Sequence, residues 1–265
     1  MRHAALALLA VVSLPLAAQQ NPDFRGATIT LVRAAGDLYQ QIVSLGSRNE
    51  RVWVGYTIPG SHTRHVRVCC SLEDDDIRMS NYDDGDFSED VVVLYRVRNG
   101  EITTLRAFSS CTINASGVQI DWLQGVDSRA SVAMLAAMAK SNSLAGHKAI
   151  FALALHEDAT DALIDLAHHG ERSKVRSDAL FWLAQTAAAK AAGVLRDAVD
   201  NDPDEDVRAK AVFGIAQLPN DQSIPLLNEL MLTHRSARVR KKAAFWLGQK
   251  NDPRALEAIE SFLRH

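Results

Sequence analysis

The sequence predicts an α+β protein in which a small β-rich N-terminal domain is followed by an all-α solenoid of about four helix pairs. Three observations carry that expectation. VRSDALFWLAQ from Val175, VRAKAVFGIAQ from Val207 and VRKKAAFWLGQ from Val239 repeat at a step of 32 residues. Upstream, Val52, Val54, Tyr56 and Ile58 alternate with Trp53, Gly55 and Thr57, the period of a strand. Between two further apolar runs, Val91–Val97 and Ile102–Phe108, Asn99-Gly100 marks a two-residue hairpin turn.

Residues 1–18 read as a secretory signal, with Arg2 and His3 at the start, an apolar run from Ala4 to Leu14 and small residues at Ala17-Ala18. The run is shorter than the roughly 20 apolar residues a spanning helix needs. Export to a periplasm or the outside is therefore expected, with no stable membrane insertion after cleavage. Three domains follow from this reading: 1–18 a signal peptide, 19–126 a β-rich domain, and 127–265 the solenoid.

Across its 265 residues the chain is 47% hydrophobic and 23% charged, enough apolar material for a core. A formal charge of −3 offers no basic footprint for nucleic acid.

In the strand half, Val118–Trp122 adds a short strand, and Gly36–Leu45 fits a helix or a strand. The half resembles no family by its motifs. An acidic stretch, Glu73 to Asp90, holds Asp74, Asp75, Asp76, Asp83, Asp84, Asp86, Glu89 and Asp90 against a single Arg78. Its spacing lacks the alternation of a calcium loop, so a solvated charge run is expected. In an exported protein cysteines pair by default. Cys70 shares the parity of Val66 and Val68 and is the expected partner of Cys111, leaving Cys69 free or able to cross-link chains. Asn114-Ala115-Ser116 fits the glycosylation triplet.

Within each repeat Val175, Ala179 and Leu183 recur as Val207, Ala211 and Ile215, and as Val239, Ala243 and Leu247. These positions fall on one helix face. Second helices align through Leu195, Leu227 and Ile259, and through Ala198, Leu230 and Phe262. Asp202-Pro203-Asp204, Pro219-Asn220-Asp221 and Asn251-Asp252-Pro253 punctuate the turns. A looser copy runs through AIFALALHEDATDALIDLA, and Asp127–Ala139 reads as a lone helix capping the stack.

The VRxxAxxxL core followed by a small residue resembles HEAT repeats, and more closely the short type of phycobilin-lyase-like proteins, over roughly half the chain. The resemblance implies an α-solenoid in which Arg176, Arg208 and Arg240 form a ladder with acids of neighbouring repeats such as Asp206. Deoxyhypusine hydroxylase, a di-iron enzyme built of such repeats, carries His-Glu pairs directly after the repeat arginine. Those places hold Ser177-Asp178, Ala209-Lys210 and Lys241-Lys242 here, which cannot ligate iron. His156-Glu157 and His168-His169 are isolated and are expected at the surface. No catalytic residue, metal site or cofactor is expected.

Two surfaces are candidates for a partner. Phe151, Phe181, Phe213 and Phe245 share an aligned position. At about 100° per residue from Val175, Trp182 falls near the core arc at about 340° while Phe181 falls at about 240°. The phenylalanines either close the seam between repeats or form an exposed aromatic stripe. The second surface is the basic cluster of Arg235, Arg238, Arg240, Lys241 and Lys242, for which a solvated face is the plain alternative.

The expected function is that of an exported, non-catalytic interaction module whose partner is another protein of the cell envelope. Two other readings stay open: a lyase- or hydroxylase-type enzyme or cofactor handler, and an N-terminal ligand-binding domain mounted on the solenoid. Oligomeric state is not legible.

Overall fold

The computed structural model describes residues 24–48, 52–60, 72, 90–109, 113–115 and 117–264. The expected signal sequence, all three cysteines and the acidic stretch before Asp90 lie outside them.

Among the described residues, the N-terminal half forms a five-stranded mixed sheet, a small two-stranded pair and one helix. In chain order the elements are β1 (Phe24–Arg25), β2 (Thr28–Arg33), α1 (Leu38–Gly46), β3 (Val52–Pro59), β4 (Asp90–Arg98), β5 (Glu101–Ser109), β6 (Ile113–Asn114) and β7 (Gln119–Gln124). The sheet order is β2-β7-β3-β4-β5, and β1 pairs with β6 separately. β7 inserts between β2 and β3, parallel to both, while β3, β4 and β5 run antiparallel. Asn99 and Gly100 both take positive φ, 52° and 75°, the geometry of the tight turn that Asn-Gly favours. The ambiguous Gly36–Leu45 segment resolves as helix α1, because Asp37 caps it by accepting from the Gln40 amide at 2.8 Å.

Although its sequence alternates, β3 is buried on both faces from Val52 to Ile58. On one side α1 presses in at Gly46, where a Cβ would sit 2.5 Å from a methyl of Val97. On the other side of the strand, Trp53 lies beside Arg96 of β4.

From Asp127 onward all regular elements are helical. They comprise α2 (Ser128–Ala139), α3 (Leu144–Ala154), α4 (Thr160–His169), α5 (Ser173–Thr186), α6 (Ala188–Asn201), α7 (Glu205–Gln217), α8 (Asn220–Thr233), α9 (Ala237–Gly248) and α10 (Pro253–Leu263). The starts follow cap chemistry: Asp127, Ser143, Asp204, Ser236 and Asp252 each accept a backbone amide of the first turn. The pairs α3/α4, α5/α6, α7/α8 and α9/α10 are the four expected, with α2 stacked on the first. Val175, Ala179, Leu183, Val207, Ala211, Ile215, Val239, Ala243 and Leu247 are all buried, as their repeat positions require. Each fully buried Val, Leu or Ile among them contributes about 1.5–3 kcal/mol.

The halves join through a buried polar chain. Tyr95 and Tyr56 hydroxyls lie 2.7 Å apart, Tyr56 lies 2.6 Å from Ser131 Oγ, and Ser131 Oγ lies 2.7 Å from His156 Nε2. His156 Nδ1 ends the chain 2.8 Å from the Ala152 carbonyl. A carbonyl only accepts, so Nδ1 carries the hydrogen, and every donor along the chain points the same way: Tyr95 to Tyr56, Tyr56 to Ser131, Ser131 to His156. A backbone bridge between Gly60 and His156 closes the same junction. His156 was expected at the surface; it is 2% exposed. The histidine is buried because the junction supplies a partner for each ring nitrogen, one of them 25 residues away in sequence.

Candidate functional site

The first helices of successive pairs, α3, α5, α7 and α9, pack side by side, so whatever recurs at one position on them forms a row. The aligned phenylalanines do so, and the tryptophans join them. Ring centroids run Phe151 to Trp182 at 5.0 Å, Trp182 to Phe181 at 5.0 Å, Phe181 to Phe213 at 6.1 Å, Phe213 to Trp246 at 4.8 Å, and Trp246 to Phe245 at 4.9 Å. The result is one unbroken aromatic ribbon across four helix pairs.

Where the other repeats hold Trp182 and Trp246, the middle one holds Gly214. A Cβ there would meet a Leu195 methyl at 2.5 Å, so Leu195 packs where a side chain would stand, and Phe213 reaches Phe181 directly instead. Trp182 and Trp246 are half-buried against the core rather than within it. The ribbon thus joins the two alternatives that the sequence left open. It closes the seams, with Phe151 buried and Phe181 and Phe213 half-buried. It also shows an open edge, since Phe245 is 53% exposed.

The basic cluster divides. Arg235 Nη2 donates to the Asp200 carbonyl at 2.6 Å, and Arg238 pairs with Asp206 and Glu205 of the preceding repeat. Lys241 and Lys242 are exposed and make no ion pair among the described residues. The partner of Arg238 corrects the expected ladder, because Asp206 is taken by Arg238 and not by a repeat arginine. The ladder itself is built on carbonyls. Arg176, Arg208 and Arg240 each donate Nη1 to the carbonyl six residues back, Gly170 at 2.8 Å, Asp202 at 2.6 Å and His234 at 2.7 Å. They thereby satisfy the orphan acceptors at the end of the preceding helix. Among the described residues only Arg176 adds a carboxylate, meeting Asp202 through Nε at 2.7 Å and Nη2 at 3.0 Å with both residues buried.

The Tyr95–Tyr56–Ser131–His156 chain is the polar cluster that sequence reading missed; its members lie far apart in sequence and share no motif. Burial lowers the His156 pKa to about 4 and raises that of Tyr56 to about 12, so both stay neutral. A Ser–His pair needs access to a substrate carbonyl to act as nucleophile and base. Ser131 is fully buried, and its hydroxyl is spent within the chain. The chain is a structural joint. His168 and His169 are exposed, as expected, and bond to aspartates of α6 and α4.

Among the described residues no three His, Cys, Asp or Glu side chains converge as a metal site. Among them also, no helix is long and apolar enough to cross a membrane. Two hollows stand out among the described residues. One, of about 710 Å³, lies between Leu38 and Tyr39, the start of β5, and Met134 and Met138 of α2. The other, of about 570 Å³, is lined by arginines of the β4–β5 hairpin.

The family model described as HEAT repeats matches residues 192–265, which cover α7 to α10 and most of α6. This segment carries HEAT repeats. The register continues upstream through α5 by the same 32-residue step, so the ribbon is a feature of HEAT-type helices. A chain of the complex of CpcE and CpcF of phycocyanin lyase from Nostoc sp. PCC7120 is similar at 25% identity, with a TM-score of 0.41, over 51% of this chain and 88% of that one. No curated protein matches the sequence.

Proposed function

We propose that this protein binds another protein through the face formed by the first helices of its HEAT pairs, with the aromatic ribbon as the contact and Lys241 and Lys242 at its rim. The observation that carries this reading is the ribbon itself. Five half-buried or exposed rings held in fixed order by stacking give rigid apolar area at little entropic cost, the composition found at binding hot spots. Solenoids present such rows as extended surfaces because each pair contacts only its neighbours. The lysines favour a partner with carboxylates beside its apolar contacts.

The basic start and apolar run of residues 1–18 support export, and a partner in the cell envelope is proposed on that ground.

Affinity purification of the full chain and of Phe245→Ala from the native host tests the reading. Phe245 is exposed, so its removal leaves the fold intact and is expected to deplete the partner by about tenfold, the effect of losing an aromatic anchor. Equal recovery with Phe245→Ala and a second variant, Lys241→Glu/Lys242→Glu, would place the partner elsewhere.

A further inference from the structure

We infer that the hollow on the β4–β5 hairpin is a binding site for an oxyanion, a phosphate, sulfate or carboxylate group, carried on a small apolar body. Arg96, Arg98 and Arg106 line it together with Trp53, Thr104 and Leu144, and no Asp or Glu is among its described lining residues. Strand pairing explains the concentration of charge. Arg96 lies opposite Thr104 and beside Trp53 across the ladder, while Arg106 lies opposite Leu94, two residues along β4 on the same face.

Arg96 is held in place rather than free to leave. Its guanidinium sits 5.9 Å from the centre of the Trp53 ring, within cation–π range. Its Nε is buried with no hydrogen-bond partner among the described residues. A buried guanidinium N–H without an acceptor costs free energy, and an oxyanion in the hollow would supply that acceptor.

Lys148 of α3 donates from Nζ to Thr104 Oγ1 at 3.2 Å, which holds Thr104 of the wall in place. Across the hairpin from Arg98 stands Glu101, but it lines the other hollow, and the two make no ion pair among the described residues. Arg96 and Arg98 therefore bring two guanidinium groups to a space of about 570 Å³, within the range of small-ligand sites. Trp53 and Leu144 supply the apolar part of the wall, which is why an organic anion binds more tightly than a bare one. This site is independent of the aromatic ribbon, so either can fail alone.

The test is calorimetric titration of the full chain with phenyl phosphate and, separately, with inorganic phosphate. Saturable one-site binding is expected for both, tighter for phenyl phosphate by roughly tenfold and weakening as salt is raised. Arg98→Gln, an exposed change that spares the fold, and Arg96→Lys, which keeps the charge but loses the fork, should each weaken phenyl phosphate by about tenfold. Lys241→Gln/Lys242→Gln should leave it unchanged. No heat with either probe would overturn the inference, as would binding indifferent to both arginine variants or abolished by the lysine pair.

Discussion

Phe181 and Phe213 stand one repeat apart and stack with their ring planes 8° from parallel. The stack exists because Gly214 leaves no ring to intervene, and it continues the ribbon through the middle of the array. Phe245 is the last ring of that row and has a neighbour on one side only.

Ring position should therefore separate stability from binding. Phe181→Ala loses contacts with both Trp182 and Phe213 and is expected to cost about 2 kcal/mol in urea unfolding. Phe245→Ala, mostly exposed, should cost below about 1 kcal/mol. Similar losses for the two would mean that the ribbon is seam throughout and has no open edge.

The three repeat arginines share a role but not a depth. Asp202→Ala leaves the buried Arg176 charge unpaired, and a loss of about 3–5 kcal/mol is expected. Arg208→Ala and Arg240→Ala remove carbonyl caps at less buried positions and should cost about 1 kcal/mol each. Thermal melts of the three variants check the ranking.

Acid should loosen the joint between sheet and solenoid. Folded His156 takes its proton only near pH 4, chiefly because burial disfavours the charged ring, whereas an unfolded histidine takes one near 6.5. Between those values the unfolded chain binds more protons, so stability present above about pH 6.5 is lost as pH falls toward 4, by about 3 kcal/mol in all. The charged groups facing it are few: Asp158 lies near and mildly favours the proton, while Tyr56 and Tyr95 stay neutral throughout. Urea midpoints at pH 7 and pH 4.5 measure the slope, and His156→Gln should reduce it whatever its own stability. An unchanged slope in that variant would assign the acid sensitivity to other groups.

The last helix offers an internal control on the repeat register. Leu256, Phe262 and Leu263 stand one 32-residue step after Ile224, Leu230 and Met231. The earlier three are buried, whereas the later three are 60%, 45% and 75% exposed. Met231→Ala is expected to cost about 2–4 kcal/mol and Leu263→Ala under about 0.5 kcal/mol. Equal costs in denaturant melts would show that α10 is covered in solution.

The solenoid was legible because its information is local and repeated. Val175, Ala179 and Leu183 specify a face within three turns, and the same face recurs a fixed step later. Capping residues such as Asp204, Ser236 and Asp252 then set the helix starts. Strands β3, β4, β5 and β7 were legible one by one, but β2 and the order of the sheet were not. That β7 pairs with both β2 and β3 depends on contacts across many residues, which leave no periodic trace. Arg176, Arg208 and Arg240 recur visibly in the repeat, but the expected acids are not their common acceptors; those are backbone carbonyls, which sequence does not display. His156 was misread for a related reason. A His-Glu dipeptide looks like surface, and its burial is decided by Ser131 and Ala152, which the ring meets only in the folded chain.

The central claim is that the row of first helices, and not the row of second helices, receives a protein partner. A photo-crosslinking residue placed at Phe245 on α9, and separately at Glu257 on the exposed side of α10, tests it in the native host. The account predicts a discrete cross-linked species from position 245, identified by mass spectrometry and lost with Lys241→Glu/Lys242→Glu, and none from position 257. A partner captured at 257 and not at 245 would contradict it.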